Sequence, residues 1–251
     1  RHMLVSHAYR FIFIKPRKTA GTSVELALSP ILAAGDMATP IEPEEEPLRQ
    51  VAEGVHVGPI RENCARLRDH SPLAMLWKAL PETRTYRVAT MTRNPWDRAV
   101  SQFFWSHRKT DMRTRPAETQ RAAFNVWTRK WGPRTWLDPL LGRKRQRALD
   151  ASQLYWVNGA CRAHFAIRFE HLAEDLLHLG DWLDLPRTPC MSDAAKSGIR
   201  PKQAGWISLF DGPTRDLVAR ECANEIAIFG YDFEGNAPLR GPEISLPPAI
   251  P

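Results

Sequence analysis

The chain has 251 residues, 43% hydrophobic and 25% charged, with a net charge of +7, a composition that fits a globular protein of one large or two small domains. No run nears the roughly 20 apolar residues that a membrane span needs, and Arg1, His2 and Met3 lack the apolar stretch of a secretory signal. Cys64, Cys161, Cys190 and Cys222 are too scattered for a zinc or redox pair, which points to reduced thiols in a cytoplasmic protein.

The first element is "YRFIFIK" (9–15), an apolar run that reads as a buried strand. It ends in "PRKTAGTS" and passes into "GTSVELALSPIL", which has helical composition. A helix N-terminus after a strand presents unpaired N–H groups and the positive end of the helix dipole, and so favours an anion. Here Lys18 adds a point charge, Gly21 permits close backbone approach, and Thr19, Thr22 and Ser23 add hydroxyl donors. The loop is not of Walker A type, because that motif places its lysine after the last glycine and Lys18 precedes Gly21. The anion is therefore expected to need no magnesium. A cationic turn capped by Thr22 or Ser23 is the purely structural alternative.

Residues 35–54, "GDMATPIEPEEEPLRQVAEG", are rich in Pro and Glu and read as a mobile excursion. A second strand, "TYRVATMT" (85–92), leads into "RNPWDRAVSQFFWSHRK", in which Asn94 is placed as a helix cap and Pro95 as the first helical residue. Arg93 ends the strand, Arg98 lies on the same side of the first turns, and Ser101 follows about two turns along. An arginine fork with a hydroxyl grips phosphate; an Arg–Asp surface pair using Asp97 is the alternative.

From Trp105 to Asp150 the chain holds twelve Lys or Arg against four Asp or Glu, so the remainder sums to −1. Trp105, Trp127, Trp131 and Trp136 share that stretch. The concentration of charge suggests an anionic partner, with a solvated helical face as the alternative. "HFAIRFE" (164–170) reads as a third strand, "EHLAEDLLHLGDWL" as an amphipathic helix, and "GPTRDLVARECANEIAIFGY" as one helix stopped by Gly230. Residues 235–251 read as an irregular tail. Strands alternating with helices predict an α/β fold with a mainly parallel sheet.

Together "PRKTAGTS" and "RNPWDRAVSQF" resemble the two nucleotide motifs of sulfotransferases that use PAPS (3'-phosphoadenosine 5'-phosphosulfate), in the family 2-like, carbohydrate-type branch. "IRFEHLAEDL" (167–176) and "FDGPTRDLVARECANEIAIFGYDF" (210–233) are similar to later parts of that branch, so the resemblance covers most of residues 9 to 233. It implies a single P-loop-like, three-layer domain over 1–251, with 105–160 as an acceptor-side helical insertion. It implies further that Lys18, Thr19, Ala20, Gly21, Thr22 and Ser23 hold the 5'-phosphosulfate, and that Arg93 and Ser101 hold the 3'-phosphate. Lys196, Ser197 and Arg200, in "KSGIRPK", would close over the nucleotide. Lys18 would stabilise the leaving oxygen, and His56 would be the general base, with Glu53 as the alternative base. PAP would be the product, with no metal required. The acceptor would be a carbohydrate, an anionic one included, with a non-carbohydrate small molecule or lipid alcohol as the alternative and no nucleic acid or membrane span involved. A nucleotide kinase-like enzyme and a basic nucleic-acid-binding module, the latter using 105–150, are the competing expectations.

Overall fold

The computed structural model describes residues 3–58, 61–62, 65–66, 72–130, 149–190, 205–235 and 241–244. The chain divides into two compact units. The first comprises Arg1–Thr92, Ser152–Ala195 and Gly241–Pro251, and the second Arg93–Ala151 and Lys196–Arg240. No helix among the described residues is long and apolar enough to cross a membrane.

The first unit is α/β. In chain order it holds β1 (Met3–Ser6), β2 (Phe11–Ile14), α1 (Gly21–Leu28), β3 (Met37–Ala38), β4 (His56–Val57), β5 (Arg61–Glu62), β6 (Ala65–Arg66), α2 (Leu73–Ala79) and β7 (Arg87–Thr92). After the second unit's helices α3 (Pro95–Ser106) and α4 (Ala117–Thr128), the chain returns as β8 (Trp156–Val157), β9 (Ala160–Cys161), β10 (Phe165–Arg168) and α5 (Leu172–Trp182). Six strands form the central sheet in the order β10-β7-β2-β1-β3-β4. It is mostly parallel: β1 alone runs against its neighbours β2 and β3.

Alternation within the strands builds the core. Leu4, Phe11, Phe13, Ala89, Met91, Phe165 and Ile167 share one face and pack with Val24 and Leu28 of α1, with Leu176 and Leu179 of α5 and with Leu183 just after it. Ile12, Ile14, Val5, Val88 and Ala166 point the other way and are equally buried, as a sheet with parallel neighbours requires. All three predicted strands are present. The sequence reading leaves out β1, three apolar residues and Ser6, which pairs with β2 as a hairpin.

The Pro- and Glu-rich stretch 35–54 is built into the edge of this sheet. It contributes β3, and the buried Asp36 accepts hydrogen bonds from Ser6 Oγ (2.8 Å) and His7 N (2.7 Å). The tail read as irregular also pairs in part: Ala166 N donates to the Pro242 carbonyl (2.7 Å), and Ile244 N to that of His164 (2.9 Å).

His164 leads into β10, and its Nδ1 accepts a hydrogen bond from Val88 N (3.0 Å). Burial, then Arg162 and Arg87, hold this imidazole below its usual pKa. A depressed histidine stabilises the fold fully above the unfolded value near 6.5, and that stability is lost as pH falls through the folded value. Urea midpoints should therefore drop as pH is lowered below about 6.5, and less so in His164→Asn, whose amide oxygen can still accept from Val88. An equal drop in both proteins would remove His164 as the cause.

The second unit is helical, with α3 and α4 joined by α6 (Gly212–Glu221) and α7 (Ala223–Phe229). The sequence predicts one helix over the last two; they break at Cys222 (φ −108°, ψ 21°), and Gly230 ends α7 in the left-handed region (φ 73°). Phe103, Phe124, Trp127 and Phe210 form an aromatic core, with the Phe103 and Trp127 rings 5.6 Å apart. Trp127 is thus core rather than an exposed platform, and Trp131 and Trp136 lie outside the described residues.

Candidate functional site

The predicted strand-to-helix junction is present: β2 ends at Ile14 and α1 begins at Gly21. Between them, Lys18 (φ 62°) and Ala20 (φ 64°) both adopt the left-handed conformation, with Thr19 outside it. Non-glycine residues hold that conformation at a cost of order 1–3 kcal/mol each, and such strain collects at functional sites. Alternating turns of this kind orient successive N–H groups toward a common point, a concavity suited to an anion. Ala20 is the N-cap of α1 and no side chain caps the helix, so the structural alternative of a Thr22 or Ser23 cap is not what the loop contains.

The loop's hydroxyls differ in use. Thr19 is fully buried; its Oγ1 donates to the Pro16 carbonyl (2.9 Å) and lies 3.7 Å from Met91 Sδ. Its side chain therefore braces the loop from within, and the donor it can offer outward is its backbone N–H. Thr22 and Ser23 are half-buried on the first turn of α1, and Lys18 is half-buried.

Lys15, which the sequence reading passes over, is the loop's most buried charge. Its side chain is 2% exposed, and its Nζ lies 2.5 Å from Glu25 Oε2 and 3.0 Å from Thr22 Oγ1. Glu25, read in the sequence as a residue complementing the helix dipole, is fully buried and also pairs with Arg49 Nη2 (3.0 Å). Arg49 comes from the Pro- and Glu-rich stretch and donates in addition to Glu46 (2.7 Å) and the Thr39 carbonyl (3.1 Å). Burial pushes the Lys15 pKa down to about 8, against the Glu25 carboxylate, which raises it.

This lysine also explains the glycine. A Cβ on Gly21 would stand 2.5 Å from Lys15 Cβ and 2.6 Å from its Cδ, so the close approach needed here is to a neighbouring side chain. Since the Lys15 stem is fixed at its far end by Glu25, it cannot swing away. Gly21→Ala should destabilise the protein by about 1–3 kcal/mol through overpacking. A thermal midpoint equal to wild type would contradict this packing.

Strands β2 and β7 are parallel neighbours, with Ile14 opposite Thr90. Both therefore end at the same edge of the sheet, and Thr90 Oγ1 donates to the Ile14 carbonyl there (2.9 Å). Thr92, the last residue of β7, is followed in the chain by Arg93. In the second unit Asn94 caps α3 as predicted, accepting from Trp96 N (3.1 Å), and Pro95 is the first helical residue. The guanidinium of Arg93 is held by Asp97 through Nε (2.7 Å) and Nη2 (2.6 Å). This is the Arg–Asp pair named as the alternative, and it is buried rather than superficial. Ser101 is half-buried two turns along. Arg98 is not part of a grip: it clasps the fully buried Glu225 and donates to the Leu149 carbonyl (2.8 Å).

His56 is exposed on the edge strand β4. Through Met37 and Val5 it lies in register with Ile12, three strands and so about 14 Å across the sheet from β2. Within the first unit, β1 and β3 stand between β4 and β2. Glu53 is exposed in the turn before β4. Lys196, Ser197 and Arg200 lie outside the described residues.

No family model matches this chain, and no curated protein or solved structure matches it either.

Proposed function

We propose that the protein is a PAPS-dependent sulfotransferase and that residues 15–23 are the 5'-phosphosulfate loop. The observation that carries this reading is the loop itself: two left-handed non-glycine residues, Lys18 and Ala20, ahead of an uncapped helix that opens at Gly21. The parallel pairing of β2 with β7 supports it, because both strands end at one sheet edge, where a ligand of an open α/β sheet is expected. The 3'-phosphate grip, Arg93 with Ser101, rests on the motif "RNPWDRAVSQF".

In the proposed reaction the acceptor oxygen forms a bond to sulfur as the bridging bond from sulfur to the 5'-phosphate oxygen breaks. The acceptor proton passes to a base, and the electron pair of the broken bond stays on the departing phosphate of PAP. Lys18 would meet the charge that grows on that oxygen, an interaction stronger in the transition state than in the ground state. His56 is the proposed base. His56→Ala should abolish transfer with PAP binding intact; transfer at the wild-type rate would remove it from the mechanism.

A thermal-shift comparison tests the whole reading. PAP in EDTA should raise the melting temperature more than Mg-ATP does. The reverse order would favour a kinase-like enzyme, and a response to oligonucleotides alone, lost at high salt, would favour nucleic-acid binding.

A further inference from the structure

We propose that Lys15 is a positioning residue for the Thr22 hydroxyl, fixing it as a hydrogen-bond donor aimed at the phosphosulfate; this rests on the reading of residues 15–23 as the anion loop. An ammonium group has three donors and no acceptor, whereas a hydroxyl has one donor and two acceptor positions. At 3.0 Å from Lys15 Nζ, Thr22 Oγ1 must therefore accept from the lysine, and its own proton is left for a second oxygen. A threonine in a helix otherwise divides between two rotamers, one of which turns the hydroxyl back onto the backbone. The charge-assisted bond from Lys15 selects against that rotamer.

The surroundings suit a support better than a ligand. Lys15 is 2% exposed, and its charge is matched by Glu25 at 2.5 Å. Glu25 is held in turn by Arg49 at 3.0 Å, so the cation is anchored from behind and its orientation does not depend on a bound anion. Lys15 also lies against Gly21, where a Cβ would come within 2.5 Å of the lysine's own Cβ. One side chain thus sets the first two residues of α1 together, Gly21 by contact and Thr22 by hydrogen bond. Lys18, in contrast, is half-buried at the left-handed turn. The two lysines divide the work: Lys18 for the ligand, Lys15 for the donor that holds it.

A double-mutant cycle on PAP affinity distinguishes this role from a general structural one. PAP binding would be measured by calorimetry at pH 7 in EDTA for wild type, Lys15→Met, Thr22→Val and the double variant, each checked for native circular dichroism. Lys15→Met and Thr22→Val should each weaken binding roughly tenfold, and the double variant should be no weaker than Thr22→Val alone. Losses that multiply in the double variant, or an unchanged affinity in Lys15→Met, would overturn the proposal while leaving the sulfotransferase reading intact. If wild type binds no PAP, both fall. Should Lys15→Met fail to fold, the four proteins are made in a Glu25→Gln background, which neutralises the carboxylate that Lys15→Met leaves paired with Arg49 alone, and the same additivity criterion applies.

Discussion

Replacing Lys18 by alanine is expected to lower PAPS turnover about 10²–10³-fold, the usual effect of removing one preorganised charge from a developing oxyanion. Lys18 is half-buried at a left-handed turn ahead of α1, so alanine removes the ammonium while the loop keeps Thr19, Gly21 and the buried Lys15–Glu25 pair. The melting temperature should accordingly change little. Because the interaction strengthens as the bridging bond breaks, the loss should fall on kcat more than on KM. PAP release measured under saturating PAPS checks this. Turnover within threefold of wild type in Lys18→Ala would mean that Lys18 does not meet the leaving oxygen.

Glu225→Ala should cost about 3–5 kcal/mol of stability, the range for removing one partner of a buried ion pair. Arg98 Nη1 lies 2.6 Å from Glu225 Oε1, and Ala151 N donates to Oε2 at 3.0 Å. Glu225 is fully buried and the Arg98 side chain 6% exposed. Alanine would leave a guanidinium and a backbone N–H without their acceptor inside the second unit. Such a loss is a large part of the 5–15 kcal/mol typical of a domain. Arg98→Met with Glu225→Leu should recover most of it, because an apolar pair needs no desolvation of charge. Urea denaturation followed by circular dichroism reads both variants, and a wild-type midpoint in Glu225→Ala would contradict the clasp.

Both variants bear on what was legible in the sequence. The strand-to-helix junction could be read from residues 11 to 25 because its parts are neighbours in the chain, and Asn94–Pro95 signals a helix start by itself. Lys15, Glu25 and Arg49 could not be read in the same way. Their pairing spans ten and twenty-four residues, and Arg49 sits in a stretch whose composition suggests a loose excursion. Likewise Arg98 and Glu225 are 127 residues apart, so the sequence offers Arg98 as a ligand and hides its partner. The break between α6 and α7 was concealed because Val218, Cys222, Ile226 and Phe229 keep a helical period across the bend. His56, given as the base by the resemblance, stands on the edge strand β4 with β1 and β3 between it and β2. Order along the chain does not fix order across the sheet.

The central claim is that the protein recognises an adenosine carrying anions on both its 3' and 5' oxygens. Calorimetric titration in EDTA with PAP and, separately, with AMP tests this directly. PAP should bind at least tenfold more tightly than AMP, because AMP lacks the 3'-phosphate assigned to Arg93 and Ser101. Equal affinities, or no binding of PAP at millimolar concentration, would contradict it.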